Sequence, residues 1–140
     1  DGRYLINLAR IRAQTYRLTY NEPIDIWGIA RVIGDRMQLS TMYGGLRPFG
    51  VSFIIGGVDK TGVHLIEADP SGSLFEWKAT AIGRGSQAAT KILKQKWREN
   101  MSKEEAIKLA EEILKKVEKA GILEIAHISK SESFSKISVR

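Results

Sequence analysis

The sequence predicts an α+β chain of the αββα four-layer sandwich type, ordered helix, helix, three antiparallel strands, helix, helix, two strands, in a single domain spanning 1–140. Three observations lead there. Several segments carry apolar residues at helical spacing, short β-rich runs lie between clusters of turn residues, and each helix pair is followed by strands. Stacking two sheets between two layers of helices buries every apolar stripe that this order creates. The composition is ordinary for a globular chain, 43% hydrophobic and 27% charged over 140 residues, enough for one domain with a real core.

From Arg3 to about Tyr16, Leu5, Leu8, Ala9 and Tyr16 share one side of a helix, and Asn21, Glu22 and Pro23 break it. Asp25 is placed to cap a second helix, whose apolar set Ile26, Ile29, Ala30, Ile33 and Met37 keeps the helical rhythm. Gly44 and Gly45 end it, as residues free to take the left-handed conformation of a C-cap. Val51 to Val58 is nearly all apolar, as a strand covered on both faces is. Asp59-Lys60-Thr61-Gly62 then reads as a hairpin loop to a second strand, Val63 to Ala68.

Asp69-Pro70-Ser71-Gly72 is a further turn, with proline fixing φ and glycine where the chain leaves. Leu74 to Ile82 alternates, Phe75, Trp77, Ala79 and Ala81 on one face and Glu76, Lys78 and Thr80 on the other, which completes an antiparallel meander. Gly56 and Gly57, side-chain-free inside a strand, mark a bulge or the close approach of another element. A third helix follows, with Ser86 as its N-cap. Ser102-Lys103-Glu104-Glu105 is a capping box opening the fourth, which is expected to bury Ala106, Leu109, Ala110, Ile113, Leu114 and Val117 and to stop at Gly121. Two short strands, Leu123 to Ile128 and Phe134 to Val139, close the chain around Lys130-Ser131-Glu132-Ser133.

Several function classes find little support in these residues. There is no run of about eighteen apolar residues, and DGRYLINLAR is charged and helical where a signal peptide has an apolar centre, so nothing points to a membrane or to export. No cysteine is available for thiolate sites, and His64 and His127 stand far apart outside any zinc-binding spacing. Both read as core or surface histidines, and no metal is expected. The net charge of +6 permits a nucleic-acid partner, with Arg3, Arg10 and Arg17 in one stripe. Against it, Glu104/Lys108, Glu111/Lys115 and Glu112/Lys116 pair opposite charges on the fourth helix, and no aromatic residues interleave with the arginines as a base-stacking surface requires.

The most chemical motif is Gly83-Arg84-Gly85-Ser86-Gln87-Ala88, which satisfies a dinucleotide-binding G-x-G-x-x-A pattern. Its context fails, because no parallel strand with an acidic end follows the helix. Gly83 and Gly85 are read as a tight strand-to-helix turn, and no cofactor is expected.

At YGGLRPFGVSFIIGGVD (Tyr43 to Asp59) and EADPSGSLFEWKATAIGRGSQAA (Glu67 to Ala89) the sequence resembles the signature region of archaeal proteasome α subunits. DGRYLINLARIRAQTYRLTYNEPI (Asp1 to Ile24) is similar to the helix and turn that precede that region. The resemblance implies the N-terminal-nucleophile hydrolase fold and a structural, non-catalytic role in cytoplasmic, ubiquitin-independent protein degradation. Such subunits form seven-membered rings of the 20S core particle, cap the proteolytic β rings, admit unfolded substrates through a gated pore and dock an ATPase activator. The residues agree on chemistry: the catalytic mechanism needs an N-terminal threonine acting with its own amine, whereas this chain begins with Asp1 and is expected to have no catalytic residue.

For the signature residues Tyr43, Gly44, Gly45, Arg47, Pro48 and Gly50, and for Asp69, Pro70, Gly72, Gly83 and Gly85, turn geometry is the principal reading, with a contact role for Arg47 as the alternative. The resemblance begins partway through the family's fold. The first third, with gating tail, cross-pore helix, first strands and the lysine of the activator pocket, is not in the sequence, which is read as a fragment or a short homologue. Three strands of one sheet and two of the other then leave edges unpaired, and the chain is expected to self-associate or to need the preceding segment. Two rival classes remain: a stand-alone N-terminal-nucleophile hydrolase using Thr15, Thr19, Thr41 or Thr80, and a basic nucleic-acid-binding module.

Overall fold

In the computed structural model, which describes residues 1–138, the chain forms two compact units that divide between Trp77 and Lys78. The element order matches the expectation. The first unit holds α1 (Gly2–Tyr20), α2 (Ile26–Met42), β1 (Phe53–Asp59), β2 (Gly62–Ala68) and β3 (Leu74–Glu76). The second holds α3 (Ser86–Lys96), α4 (Lys103–Val117), β4 (Glu124–His127) and β5 (Ser135–Ser138). Val139, assigned above to the last strand, lies outside the described residues.

In the first unit the strands form an antiparallel sheet in the order β1-β2-β3, with Gly57 opposite His64 and Ile66 opposite both Ile55 and Glu76. Helix α2 lies on one face of it. Leu5 of α1, Ile33 and Met37 of α2 and Ala68 of β2 form the buried cluster, with Leu8, Ala9, Ile29, Phe49, Val51, Phe53, Ile55 and Leu74 packed around it. Leu5, Met37 and Ile66 are fully buried, and a side chain of that size contributes about 1.5–3 kcal/mol each when withdrawn from water.

Glycines set how closely α2 sits. A Cβ on Gly57 would lie 2.2 Å from Ile26 Cδ1, so the close-approach reading of Gly56 and Gly57 holds, for Gly57, and the regular ladder carries no bulge there. Gly72 takes φ +88°, and a Cβ on it would meet Gly34 O at 2.3 Å and Gln38 N at 2.7 Å. A Cβ on Gly34 would in turn meet Gly72 O at 2.9 Å. The turn after β2 therefore touches the backbone of α2.

Several boundaries differ from the sequence reading for physical reasons. Helix α1 runs on to Tyr20 and stops where Asn21 adopts the left-handed conformation (φ 54°) and donates its N–H to Arg17 O. Helix α2 ends at Met42 with the extended Tyr43 as C-cap, so the glycine pair forms the following turn instead of the cap itself; only Gly45 has positive φ (+83°). Within the first unit α2 covers one face of strand β1, and on the other face Ile54, with Val63, Phe75 and Trp77 on neighbouring strands, is well exposed. Strand β3 stops at Glu76, not Ile82, because after Trp77 N–H donates to Leu65 O the chain bends at 78–79 and leaves the ladder.

In the second unit α3 and α4 share a core of Ala89, Leu109 and Ile113, flanked by Ala81, Ile92, Leu93, Trp97, Met101 and Val117. The buried stripe of α4 is narrower than expected, since Ala106, Ala110 and Leu114 are exposed. The Ser102–Glu105 capping box is complete: Glu105 N–H donates to Ser102 Oγ (3.2 Å) and Ser102 N–H to Glu105 Oε2 (2.8 Å). Glu112 accepts from Lys116 on its own helix (2.7 Å) and from Lys96 on α3 (2.6 Å), which holds its carboxyl at about 2. Strands β4 and β5 pair antiparallel, Ile125 opposite Ile137.

The glycine contacts make a paired test. Gly72→Ala places a methyl group against the α2 backbone at a left-handed position and is expected to cost about 2 kcal/mol or more. Gly44→Ala, where nothing lies within 4 Å and φ is not positive, is expected to stay within about 0.5 kcal/mol. Urea denaturation of both variants checks the contrast.

Candidate functional site

The signature segment Tyr43 to Gly50 is fastened to the start of α1. Asp1 precedes that helix, yet its carboxylate makes no side-chain cap bond. Instead it accepts two hydrogen bonds from Arg47, Nη1 at 2.7 Å and Nη2 at 2.8 Å, and one from Gly50 N–H at 2.8 Å. Arg47 Nη1 also donates to Pro48 O at 3.0 Å. A planar guanidinium suits this two-point grip on a carboxylate in a way that a lysine does not.

Phe49 secures the same loop from its other side. Its ring stacks on Tyr4 with 6.1 Å between centroids, Arg36 of α2 lies over both rings, and Arg36 Nε donates to Tyr4 Oη at 3.0 Å. Tyr43, Gly44 and Gly45 project into open surroundings, and Leu46 N–H donates back to Tyr43 O at 3.4 Å. Arg47 thus acts within the chain, as the clasp on Asp1.

The second motif, Asp69-Pro70-Ser71-Gly72, is organised by one carboxylate oxygen. Asp69 Oδ1 accepts from Ser71 Oγ (2.5 Å), Ser71 N–H (2.9 Å) and Ser73 N–H (3.1 Å), while Gly72 N–H donates to Asp69 O (2.9 Å). The Ser71 hydroxyl above all, helped by these backbone donors, holds the Asp69 carboxyl below its ordinary range. Pro70 is exposed at the tip.

The third motif behaves as a turn. Gly83 (φ +86°) and Gly85 (φ +79°) are both left-handed, Ser86 N–H donates to Gly83 O at 3.2 Å, and Arg84 pairs with Glu118 beyond the end of α4. The N-cap of α3 is Gly85, not Ser86, which already belongs to the helix. Gly85 fits because a Cβ there would press on Val117 Cβ at 3.2 Å.

A cluster that sequence reasoning missed lies under the first turn of α2. Asp59 Oδ1 accepts from Thr61 Oγ1 (2.6 Å) and Thr61 N–H (2.8 Å), and Asp59 Oδ2 from Ile26 N–H (2.9 Å). His64 sits between Thr61 Oγ1 at 2.6 Å from Nε2 and Glu76 Oε1 at 2.5 Å from Nδ1. Trp27 Nε1 donates to Glu76 Oε2 at 3.1 Å. Strand parity carries the signal, because Asp59, His64 and Glu76 share the face of the sheet that meets α2. His127, the other histidine, is half-buried beside Glu132, 3.3 Å from Nδ1 to Oε2.

No three His, Cys, Asp or Glu side chains among the described residues converge on a point where a metal ion could sit, and no helix among them is long and apolar enough to cross a membrane. Of the threonines considered as alternative nucleophiles, Thr15 lies within α1, Thr19 Oγ1 donates to Thr15 O (2.9 Å) and Thr41 Oγ1 to Gln38 O (2.7 Å). Thr80 lies beyond the end of β3.

Comparison with known proteins places these turns within a family. Residues 1–129 match the family model described as proteasome subunit. The chain belongs to the proteasome subunit family. Among the relatives of this proteasome-family chain, the proteasome subunit alpha of Methanopyrus kandleri is 47% identical over 98% of the chain and 57% of the relative. That of Thermococcus sibiricus is 45% identical over 98% and 54%, and the proteasome subunit alpha type-4-1 of Oryza sativa subsp. indica is 44% identical over 96% and 54%. The proteasome-family chain therefore spans between 54% and 57% of the length of these relatives.

The anchoring carboxylates give this region an acid limit. Asp69 and Asp59 both have folded values below the unfolded one, Asp59 chiefly through Thr61 and the Ile26 N–H. Their contribution is complete above the unfolded aspartate value of about 3.9 and is lost as pH falls through the folded values. Stability measured by urea denaturation is expected to fall steadily below about pH 4. Asp69→Asn, which keeps an oxygen acceptor but cannot lose a charge, should flatten part of that fall.

Proposed function

We propose that the chain supplies the structural, non-catalytic α subunit of a 20S proteasome core particle, as one αββα domain of the N-terminal-nucleophile hydrolase type spanning 1–140. On this reading it works in the cytoplasm, within a seven-membered α ring against the β rings, where it supports entry of unfolded substrates and docking of an ATPase activator. The observation that carries the proposal is similarity over 98% of the chain to a protein named proteasome subunit alpha. The geometry supports the same role. Its motif residues Arg47, Asp69, Gly72, Gly83 and Gly85 are engaged in turns and clasps within the chain, as parts of a scaffold are.

The rival classes draw less support. Helix-bonded Thr19 and Thr41 are committed to their own backbone, and α4 pairs Lys115 with Glu111 and Lys116 with Glu112 on a mixed-charge face.

The proposal is tested by co-expressing the tagged chain with the N-terminal segment of the Methanopyrus kandleri α subunit and archaeal proteasome β subunits. Native mass spectrometry of the purified particle, treated with a threonine-directed covalent inhibitor, is expected to show the chain in an α ring. Label should sit on β subunits only. Stoichiometric labelling of a threonine in this chain, or a chain that never joins the particle, would overturn the reading.

A further inference from the structure

The His64 cluster is a problem in proton accounting. Thr61 Oγ1 lies 2.6 Å from both Asp59 Oδ1 and His64 Nε2, yet a hydroxyl has one proton to give. A carboxylate oxygen can only accept, so the proton belongs on the Thr61–Asp59 bond. The hydroxyl then presents a lone pair to Nε2, which must itself carry a hydrogen. On the other side of the ring Nδ1 faces Glu76 Oε1 at 2.5 Å, another acceptor, and must carry one as well. Both nitrogens donate only in the imidazolium.

The groups around the ring favour that charge. Asp59 from β1 (3.4 Å from Nε2) and Glu76 from β3 are the ionisable groups that face it, and the His64 side chain is 14% exposed. The other charges nearby are turned elsewhere. Lys60 of the hairpin points to Glu22 at 3.9 Å, Asp25 accepts from Gly28 N–H at 2.6 Å, and Arg31 of α2 stacks over Trp27 at 5.8 Å. On β2 itself Glu67 lies on the opposite face. The bond to Glu76, and then the charge of Asp59, raise the affinity of His64 for its proton despite partial desolvation.

Both carboxylates that flank the imidazolium also hold the first turn of α2, Asp59 through Ile26 N–H and Glu76 through the Trp27 indole. We propose that His64 is a proton-operated clamp: as an imidazolium it joins Asp59–Thr61 to Glu76 and fastens the first turn of α2 to the β1–β2–β3 sheet, and in its neutral form it releases that turn. Loss of the Nε2 proton sets a lone pair against the Thr61 oxygen, and the hydroxyl can turn to it only by leaving Asp59. Loss of the Nδ1 proton instead sets a lone pair against Glu76. Either way one of the two anchors is weakened.

The direction with pH follows from linkage. A histidine whose folded value is raised contributes fully below the ordinary value of about 6.5, and the contribution disappears as pH rises through the folded value. Histidine-selective nitrogen NMR on the 140-residue chain, with a His127→Gln variant to isolate His64, reads the protonation state directly. Both ring nitrogens are expected to keep imidazolium shifts above about pH 6.5. The Trp27 indole proton, assigned with Trp27→Phe, or the Ile26 amide proton, according to which ring nitrogen gives up its hydrogen, should lose exchange protection across the same titration, about tenfold for each unit by which the midpoint exceeds the ordinary value. Glu76→Gln, which leaves an amide oxygen for the indole, should bring the midpoint back toward the ordinary value. A His64 midpoint at or below about 6.5, exchange protection that changes at neither the Trp27 indole nor the Ile26 amide through the titration, or a midpoint unmoved by Glu76→Gln would each overturn the proposal. The titration and the indole exchange are read on chains with Glu76 in place, so they decide the matter even where Glu76→Gln fails to fold.

Discussion

The first unit depends on how closely α2 can lie against its sheet. Backbone meets backbone where Gly34 and Gly72 face each other, and Gly57 makes room for Ile26. Only side-chain-free positions allow that separation, and once it is reached the neighbouring contacts follow. Ile33 and Met37 drop into the cluster with Leu5 and Ala68, and the N-terminal turn of α2 comes within reach of Asp59 and Glu76. Burial supplies the larger share of the free energy, while the glycines fix the distance at which it is collected.

Much of this was legible from residue spacing. The element order, the Asp25 cap, the apolar set of α2 and the Ser102–Glu105 capping box follow from local rules, and local rules govern them in the structure. The departures occur where a tertiary partner decides. Tyr43, not the glycine pair, caps α2, because the glycines are used one residue later in the turn toward Arg47. Alternation through Leu74 to Ile82 describes a longer strand than forms, since pairing requires a neighbour and the chain bends away after Trp77. The clasp of Asp1 on Arg47 joins positions far apart in the sequence, and no periodicity records such a pair.

The proposed structural role agrees with how the chain uses its carboxylates. Asp1 holds Arg47 and the Gly50 N–H, Asp59 holds the Ile26 N–H and the hairpin, Asp25 caps α2, and Asp69 gathers the donors of its own turn. Each sits at a junction between elements. Asp59 and Asp69, whose carboxylates each accept three hydrogen bonds, are poor general bases, because those bonds lower their affinity for a proton. The same arrangement makes a good hinge pin.

His64 is the exception among these anchors, because its working state requires a proton and its neighbours were fixed for other reasons. Asp59 terminates β1 and receives α2; Glu76 ends β3 and receives Trp27. An apolar residue at position 64 would remove the cation that stands between the carboxylates of Asp59 and Glu76 under the first turn of α2. A permanently charged lysine would balance them but lacks the two opposed donors, on a rigid ring, that reach Thr61 and Glu76 at once. The imidazolium meets both requirements, and its bonds to Thr61 and Glu76 raise its affinity for the proton that the clamp needs.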